Sequence, residues 1–304
     1  MNSDAQPERN SATIGQLALE DLLAMPEAEL QQLDVAWVNL QCATGLPSSH
    51  PFDAADCLAR LDQYAQHIRQ QTERFRPRFL QQPEACDNSE ALFRMIVLVN
   101  GLREDCGVAY NLQRIHDPDF TNSEDLFIHG LFSANGGTCS SLPVAFAAIG
   151  RRLGYPVRLV HAKAHLFVRW DDPTGDSGFP PGRVNIEGAC EGMDSLSDEY
   201  YTTWPMPIEP QELTSGQYLH SLSPSEELAF FLSVRGNCLQ DNARFEEAAQ
   251  AYQYACAFAP HIERYHLWRD VNSILCGEVV SNADSHIRRI ADEEKRRIAA
   301  LQTR

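Results

Sequence analysis

Apolar residues recur at helical spacing through the first third of the chain. From Ile14 to about Thr44 the stripe Leu19, Leu22, Leu23, then Leu30, Leu33, Trp37 and Leu40 predicts two amphipathic helices broken near Pro26. A third should follow Asp53, with Leu58, Leu61, Tyr64, Ala65 and Ile68 on one face and polar residues opposite, ending at Pro77. Ser89 has N-cap chemistry and opens a fourth helix through Leu92, Ile96, Val99 and Leu102 to Gly107. The stretch from Gly107 to Ser123 is dense in turn formers and reads as loop, followed by a short helix from Ser123 to Phe132.

The period then changes. Asn135-Gly136-Gly137-Thr138-Cys139-Ser140-Ser141-Leu142-Pro143 is a glycine turn that delivers Cys139 to the first turn of an apolar helix, whose stripe is Leu142, Phe146, Ile149 and Leu153. Gly154-Tyr155-Pro156 stops it, and alternation takes over in three strands: Val157 to Val160, His165 to Trp170, and Arg183 to Glu187. A proline- and glycine-rich turn over Asp171 to Gly182 joins the last two, so the sheet should be antiparallel and packed on the cysteine helix. Beyond Gly188 lies a loop carrying Met193, Tyr200, Tyr201 and Trp204, whose aromatics either roof a cleft or seal a junction between domains, the second being the commoner fate of loop aromatics.

Helical spacing returns at Ser225 and holds to the end. Leu228 to His261 fits one tetratricopeptide-like unit, with Gly236, Leu239, Ala248, Tyr252, Ala255 and a closing Pro260 at the offsets of that repeat. One unit cannot bury its own face, so it should lean on the sheet region and on final helices over Tyr265 to Cys276 and Ser281 to about Leu301. The fold class is therefore α+β. It comprises a disordered N-terminus (1–12), a helical region (13–106), a cysteine-helix-plus-sheet core (107–210) and a helical C-terminal region (211–304) holding the repeat-like unit (228–261).

Composition narrows the function. The 304 residues include 42 acidic and 25 basic side chains, a formal charge of −17, which repels nucleic-acid phosphates and anionic lipid; neither is an expected partner. No apolar run approaches the roughly 20 residues that cross a bilayer, and Met1 to Asn10 lacks the apolar core of a signal peptide, so a cytoplasmic location is expected. Nine scattered cysteines without a CxxC pair read as free thiols, and Cys42, Cys57, Cys106, Cys256 and Cys276 as packing residues in apolar stretches.

Cys139 differs in its setting. Unpaired backbone N–H groups at a helix start favour thiolate over thiol. A cysteine nucleophile needs a base, and the base needs a third group to orient it. His165 opens the strand that follows the cysteine helix and one strand, and Asn185 and Glu187 share a face of the next strand; either could orient an imidazole, and a carboxylate would also stabilise its cation. His161 and His165 with Cys139 and Cys190 could in principle bind zinc, but paired ligand motifs are absent, and neither a metal nor a cofactor is expected.

Gly137-Thr138-Cys139, Leu153-Gly154-Tyr155-Pro156, His165-Leu166-Phe167-Val168-Arg169 and Asn185-Ile186-Glu187, followed by the repeat unit, resemble the transglutaminase-like, papain-related superfamily and, more narrowly, the SirB1 family. The resemblance covers about three fifths of the chain, Ser89 to Pro260. It implies a transglutaminase-like core in which Cys139 is the nucleophile, His165 the base and Glu187 the orienting acid, acting on a protein or peptide in thiol-dependent acyl transfer or amide hydrolysis. The chain has Glu187-Gly188 where that core carries Asp-Pro. The alternative from another class is a non-catalytic protein-interaction module on the same fold.

Overall fold

In the computed structural model the described residues are 19–115, 119–133, 136–188, 193–281 and 283–302, and the expectations for residues 1–12 and for Cys190 fall outside them. The first expected helix pair is three pieces, α1 (Leu19–Leu23), α2 (Glu27–Leu30) and α3 (Val35–Ala43). The additional break precedes Asp34, whose carboxylate accepts from the Ala36 N–H at 2.8 Å and caps α3. Helix α4 (Ala54–Gln81) starts behind Asp53 as expected but runs through Pro77 rather than ending there. The chain from Glu73 to Arg78 is exposed, so water can satisfy the carbonyl that proline leaves without its helical partner. Helix α5 (Glu90–Glu104) begins at its Ser89 cap. The short helix expected over Ser123 to Phe132 is two tight 3-10 turns, Ser123–Asp125 and Ile128–Phe132.

Helix α6 (Leu142–Arg152) is the hub. Every residue from Leu142 to Gly150 is buried, which requires neighbours on all sides. Helices α3, α4 and α5 supply some of them and a three-stranded antiparallel sheet the rest, with order β1 (Val157–Ala162), β2 (His165–Asp172), β3 (Gly182–Ile186). The register pairs Val157 with Trp170, Leu159 with Val168 and Val168 with Ile186, so these side chains form one apolar face in the main core with α6. The opposite face carries Val160, Ala162 and Phe167 beneath Tyr201. The free edge of β1 is covered by the segment 219–222, where the Leu219 and Leu222 N–H groups each donate at 2.9 Å to the His161 and Leu159 carbonyls.

Two short helices, α7 (Asp198–Tyr201) and α8 (Pro210–Thr214), lead to the helical tail: α9 (Pro224–Asp241), α10 (Phe245–Phe258), α11 (Glu263–Leu275) and α12 (Ser285–Leu301). Helix α9 starts ahead of the expected Ser225, because Ser223 and Glu226 form a reciprocal capping box and Pro224 fits the first helical position, where no N–H is needed. Its neighbours include α3, where Arg235 donates to the carbonyls of Cys42 at 2.9 Å and Thr44 at 2.7 Å. No described helix is long and apolar enough to cross a membrane. The eight described cysteines are free; Cys42, Cys57 and Cys256 are buried as expected, whereas Cys106 is half-buried and Cys276 exposed. Cys276 falls at the C-cap of α11, where the chain leaves the core.

Gly236 packs face to face with Tyr252 of α10, as the repeat pattern anticipates. A Cβ there would lie 2.6 Å from Tyr252 Cε2, a fully buried ring with no room to move. Gly236→Ala should therefore cost about 1–3 kcal/mol by overpacking, although alanine is the better helix former. Urea denaturation would show it, and an unchanged or raised midpoint would contradict this packing.

Candidate active site

Three segments converge at the end of the sheet where β1 turns into β2. The first is the cysteine loop. Gly137 N–H donates to the Ala109 carbonyl at 2.8 Å and its own carbonyl accepts from Asn111 N–H at 2.7 Å, a short parallel bridge to Tyr110. Gly136 has φ +78°, and a Cβ there would be 2.8 Å from the Ala109 oxygen, so the position needs glycine twice over. Thr138 then donates its hydroxyl to the Asp125 carbonyl at 2.6 Å and its N–H to Ser141 Oγ at 2.9 Å. Cys139 thus sits in a closed turn before the N-cap Ser141, not in the first turn of α6 as the apolar stripe suggested. The Ser141 hydroxyl closes that turn over the cysteine, and the helix begins only after it.

His165 and Glu187 complete the group. Asn185 pairs with Arg169 and Ile186 with Val168, which sets Glu187 beside Phe167 on the face that carries His165. His165 Nε2 lies 2.6 Å from Glu187 Oε2, both side chains being almost wholly buried. With Nε2 committed there, Nδ1 is the nitrogen available to the Cys139 thiol. Asn185 shares the face, as expected, but does not reach the imidazole. Its Oδ1 accepts from Arg169 Nε at 2.7 Å, and its Nδ2 donates to Asp198 Oδ1 at 2.7 Å and to the Leu196 carbonyl at 2.9 Å. The acidic member of the group is therefore Glu187, and Asn185 belongs to a separate network around the buried Arg169.

The electrostatics follow from these contacts. Burial pulls the His165 pKa down, but hydrogen bonds to Cys139 and Glu187, together with their charges, outweigh it and lift the ring from 6.5 to about 9. At neutral pH the His165 ring is therefore held as an imidazolium. By contrast, burial pushes the Cys42 and Cys238 thiols up to about 12 and those of Cys57 and Cys256 up to about 11, which leaves these cysteines inert.

For several residues here the sequence pattern does not assign the particular role. Tyr201 donates its hydroxyl to Glu187 Oε2 at 3.0 Å while its ring stacks on Phe167 at 4.1 Å between centroids. Trp204 stands edge-on to His165 at 4.8 Å and is partly exposed. Tyr201 covers the outer face of the sheet and Trp204 stands over the imidazole, so these loop aromatics pack on the sheet and its histidine. Tyr110, from the segment read simply as loop, engages the backbone N–H and the side chain of Cys139; burial and the cysteine charge raise its pKa. Gly188 has a packing reason, since a Cβ there would come within 2.7 Å of Phe146 Cζ and closer still to Cε2.

Cys139, His165 and Tyr110 line a cavity of about 380 Å³ whose far wall is built by Tyr218, by Phe230 and Val234 of α9, and by Arg264 of α11. His161 also reaches it, but faces away from His165: it pairs with Leu166, and its ring stacks on Tyr218 at 5.2 Å. The pair expected to suit zinc by spacing is therefore split across the sheet. Among the described residues the metal-capable side chains that do converge are His220, Glu226 and His261, with ligand atoms within 4.8 Å of one another. There Glu226 Oε1 is hydrogen-bonded to His220 Nε2 at 2.8 Å and lies 3.2 Å from His261 Nε2, while Oε2 serves the α9 capping box. This holds the Glu226 carboxyl down at about 2 against its own burial.

No family model, no curated protein and no solved structure matches the chain.

A folded-state pKa above the unfolded 6.5 means that protonation of His165 favours the folded chain. That contribution is complete below pH 6.5 and lost as pH rises through about 9. The stability difference between wild type and His165→Gln should narrow over this interval by on the order of 3 kcal/mol. Chemical denaturation at several pH values measures it, and a difference flat across the interval would mean that the ring is not held as an imidazolium.

Proposed function

We propose that the protein is a transglutaminase-like, SirB1-type thiol enzyme that transfers or hydrolyses acyl groups from amides, with Cys139 as nucleophile, His165 as acid and base, and Glu187 as the group that orients and charges the ring. The observation that carries this reading is the buried His165 imidazole bound to Glu187 at 2.6 Å on one side and engaged with Cys139 on the other. The arrangement suits covalent catalysis because an imidazolium next to the sulfur balances the charge of a thiolate and has a proton ready for the leaving group.

In the first half-reaction the Cys139 sulfur attacks the amide carbonyl carbon. The S–C bond forms, the C–N bond breaks, and the amine leaves with the proton from His165. In the second, water or an acceptor amine attacks the thioester carbonyl, His165 takes the proton of that nucleophile, and the acyl group departs as acid or new amide with the thiolate restored. Glu187 stays ionised and fixes the tautomer and plane of the ring. The carbonyl oxygen would come to the Cys139 N–H, the position that Tyr110 engages in the free protein.

Iodoacetamide followed by peptide mass spectrometry tests the nucleophile without a known substrate, and the exposed Cys276 provides an internal reference thiol. Wild type should label Cys139 ahead of Cys276 at pH 6, with an inflection near pH 9 as His165 loses its proton. His165→Ala should abolish the inflection and slow labelling at pH 6 by about a hundredfold. p-Nitrophenyl acetate, an activated ester, should leave an acetyl group on Cys139 that is absent in Cys139→Ala. Labelling indifferent to His165, with no acetyl adduct, would overturn the reading.

A further inference from the structure

The cavity wall holds a cation that forms no ion pair among the described residues: Glu212 is near enough to feel its charge but is itself paired with Lys163. Arg264, on the second residue of α11, lies over two rings, with its guanidinium carbon 4.6 Å from the Tyr265 centroid and 5.3 Å from that of Tyr218. Its Nη2 donates to the Tyr265 hydroxyl at 2.9 Å. Its Nη1 is buried without a hydrogen-bond partner, and no carboxylate pairs with Arg264 among the described residues. Two arginines of comparable exposure, Arg151 and Arg114, are by contrast matched by Glu227 and Asp125. A guanidinium nitrogen shut away from water and left unpaired costs free energy that a planar anion at the open fork would recover.

Asp119 and Asp125 also line the cavity, but both are paired with Arg114 and neither serves Arg264. Asn237 Oδ1 accepts from the Tyr252 hydroxyl at 2.5 Å, which leaves its Nδ2 hydrogens as further donors at the cavity wall. His161 contributes no competing charge of either sign, being held neutral by burial and by the cations around it. The apolar side chains that line the same cavity as Arg264 and Cys139 include Phe230, Val234 and Leu126. The cavity thus offers a reactive thiol, an apolar span, and a fork of N–H donors without an acceptor.

We infer that Arg264 is the specificity residue of the site and that the substrate is an amide bearing a carboxylate, separated from the scissile carbonyl by a short apolar spacer that lies along Phe230 and Val234. A carboxylate fits one planar guanidinium in two parallel hydrogen bonds, whereas a dianionic phosphate would meet a single cation in a chain of formal charge −17. The inference rests on the acyl-transfer reading, because it assigns what that same thiol acts on. It gives the C-terminal helices a part in the chemistry, since α9 supplies the apolar span and α11 the cation.

Maleimides tethered to a carboxylic acid by alkyl chains of increasing length, each compared with its primary amide, act as a ruler from Cys139 to Arg264. The ratio of acid to amide labelling rate, taken separately for each protein, cancels any change in the reactivity of Cys139 itself. In wild type one chain length should favour the acid by at least about tenfold, the worth of one charge-assisted hydrogen bond. The preference should collapse toward unity in Arg264→Gln and fall only several-fold in Arg264→Lys, which keeps the charge but not the fork. A wild-type ratio near unity at every length, or a preference that survives Arg264→Gln, overturns the inference while leaving the thiol reading intact. If even the amide reagents label Cys139 no faster than Cys276, the acyl-transfer reading fails and this inference fails with it.

Discussion

A carboxylate and an imidazole buried side by side are stable only if each is fully matched, and the site depends on that match. Glu187 receives His165 and the Tyr201 hydroxyl on one oxygen, while its backbone N–H and carbonyl bridge to Asp194 at 2.8 and 3.1 Å. The side chain is therefore aimed by a fixed backbone. The backbone is fixed because Ile186, its neighbour, faces the opposite way into the core against Val168. A slip of one residue in the β2–β3 register would turn Glu187 into that core and Ile186 toward the imidazole, so hydrophobic alternation protects the polar contact.

Helix α6 joins this sheet to the thiol. It carries the cysteine loop at its N-terminus and supports β1 and β2 along its side, and its burial from Leu142 to Gly150 leaves it little freedom to shift. The distance between sulfur and imidazole is consequently set by core packing. The loop has a second anchor in the Gly137 bridge to residues 109–111, which also delivers Tyr110. A thiol held at both ends of its turn can meet a partner from another element without losing further conformational entropy when substrate binds.

Where the chemistry lies on periodic elements, it was readable from the sequence. Alternation alone placed Asn185 and Glu187 on one face and put His165 at the start of the neighbouring strand. It could not decide between the two, because that depends on register: Asn185 falls opposite Arg169 and is taken up by it. Pro77 misled because proline ends helices through a lost hydrogen bond, which matters little where the backbone is wet. The apolar stripe drew Cys139 one turn too far into α6, since a stripe records which residues face inward and not where helical dihedrals begin. Tyr110, Tyr201 and Arg264 were unreadable for a common reason. Each reaches the site by tertiary approach from a loop, a short helix or a distant helix, and no local period encodes such an approach.

Glu187 and Gly188, just past β3, suit their surroundings jointly. Glu187 stands beside Phe167, so the imidazole it must reach is a diagonal neighbour, at a cross-strand separation of roughly 7–8 Å. Aspartate would fall a methylene short of that diagonal, whereas glutamate spans it and still presents an oxygen to Tyr201. The residue that follows must turn away at once, because Phe146 of α6 fills the space where a Cβ would project. Proline at 188 would drive its ring into that phenyl group and push the strand off the helix that positions Cys139. Glycine at 188 lets the chain stay close to α6, and the length of the glutamate side chain at 187 supplies the reach to the imidazole, so the two residues work together.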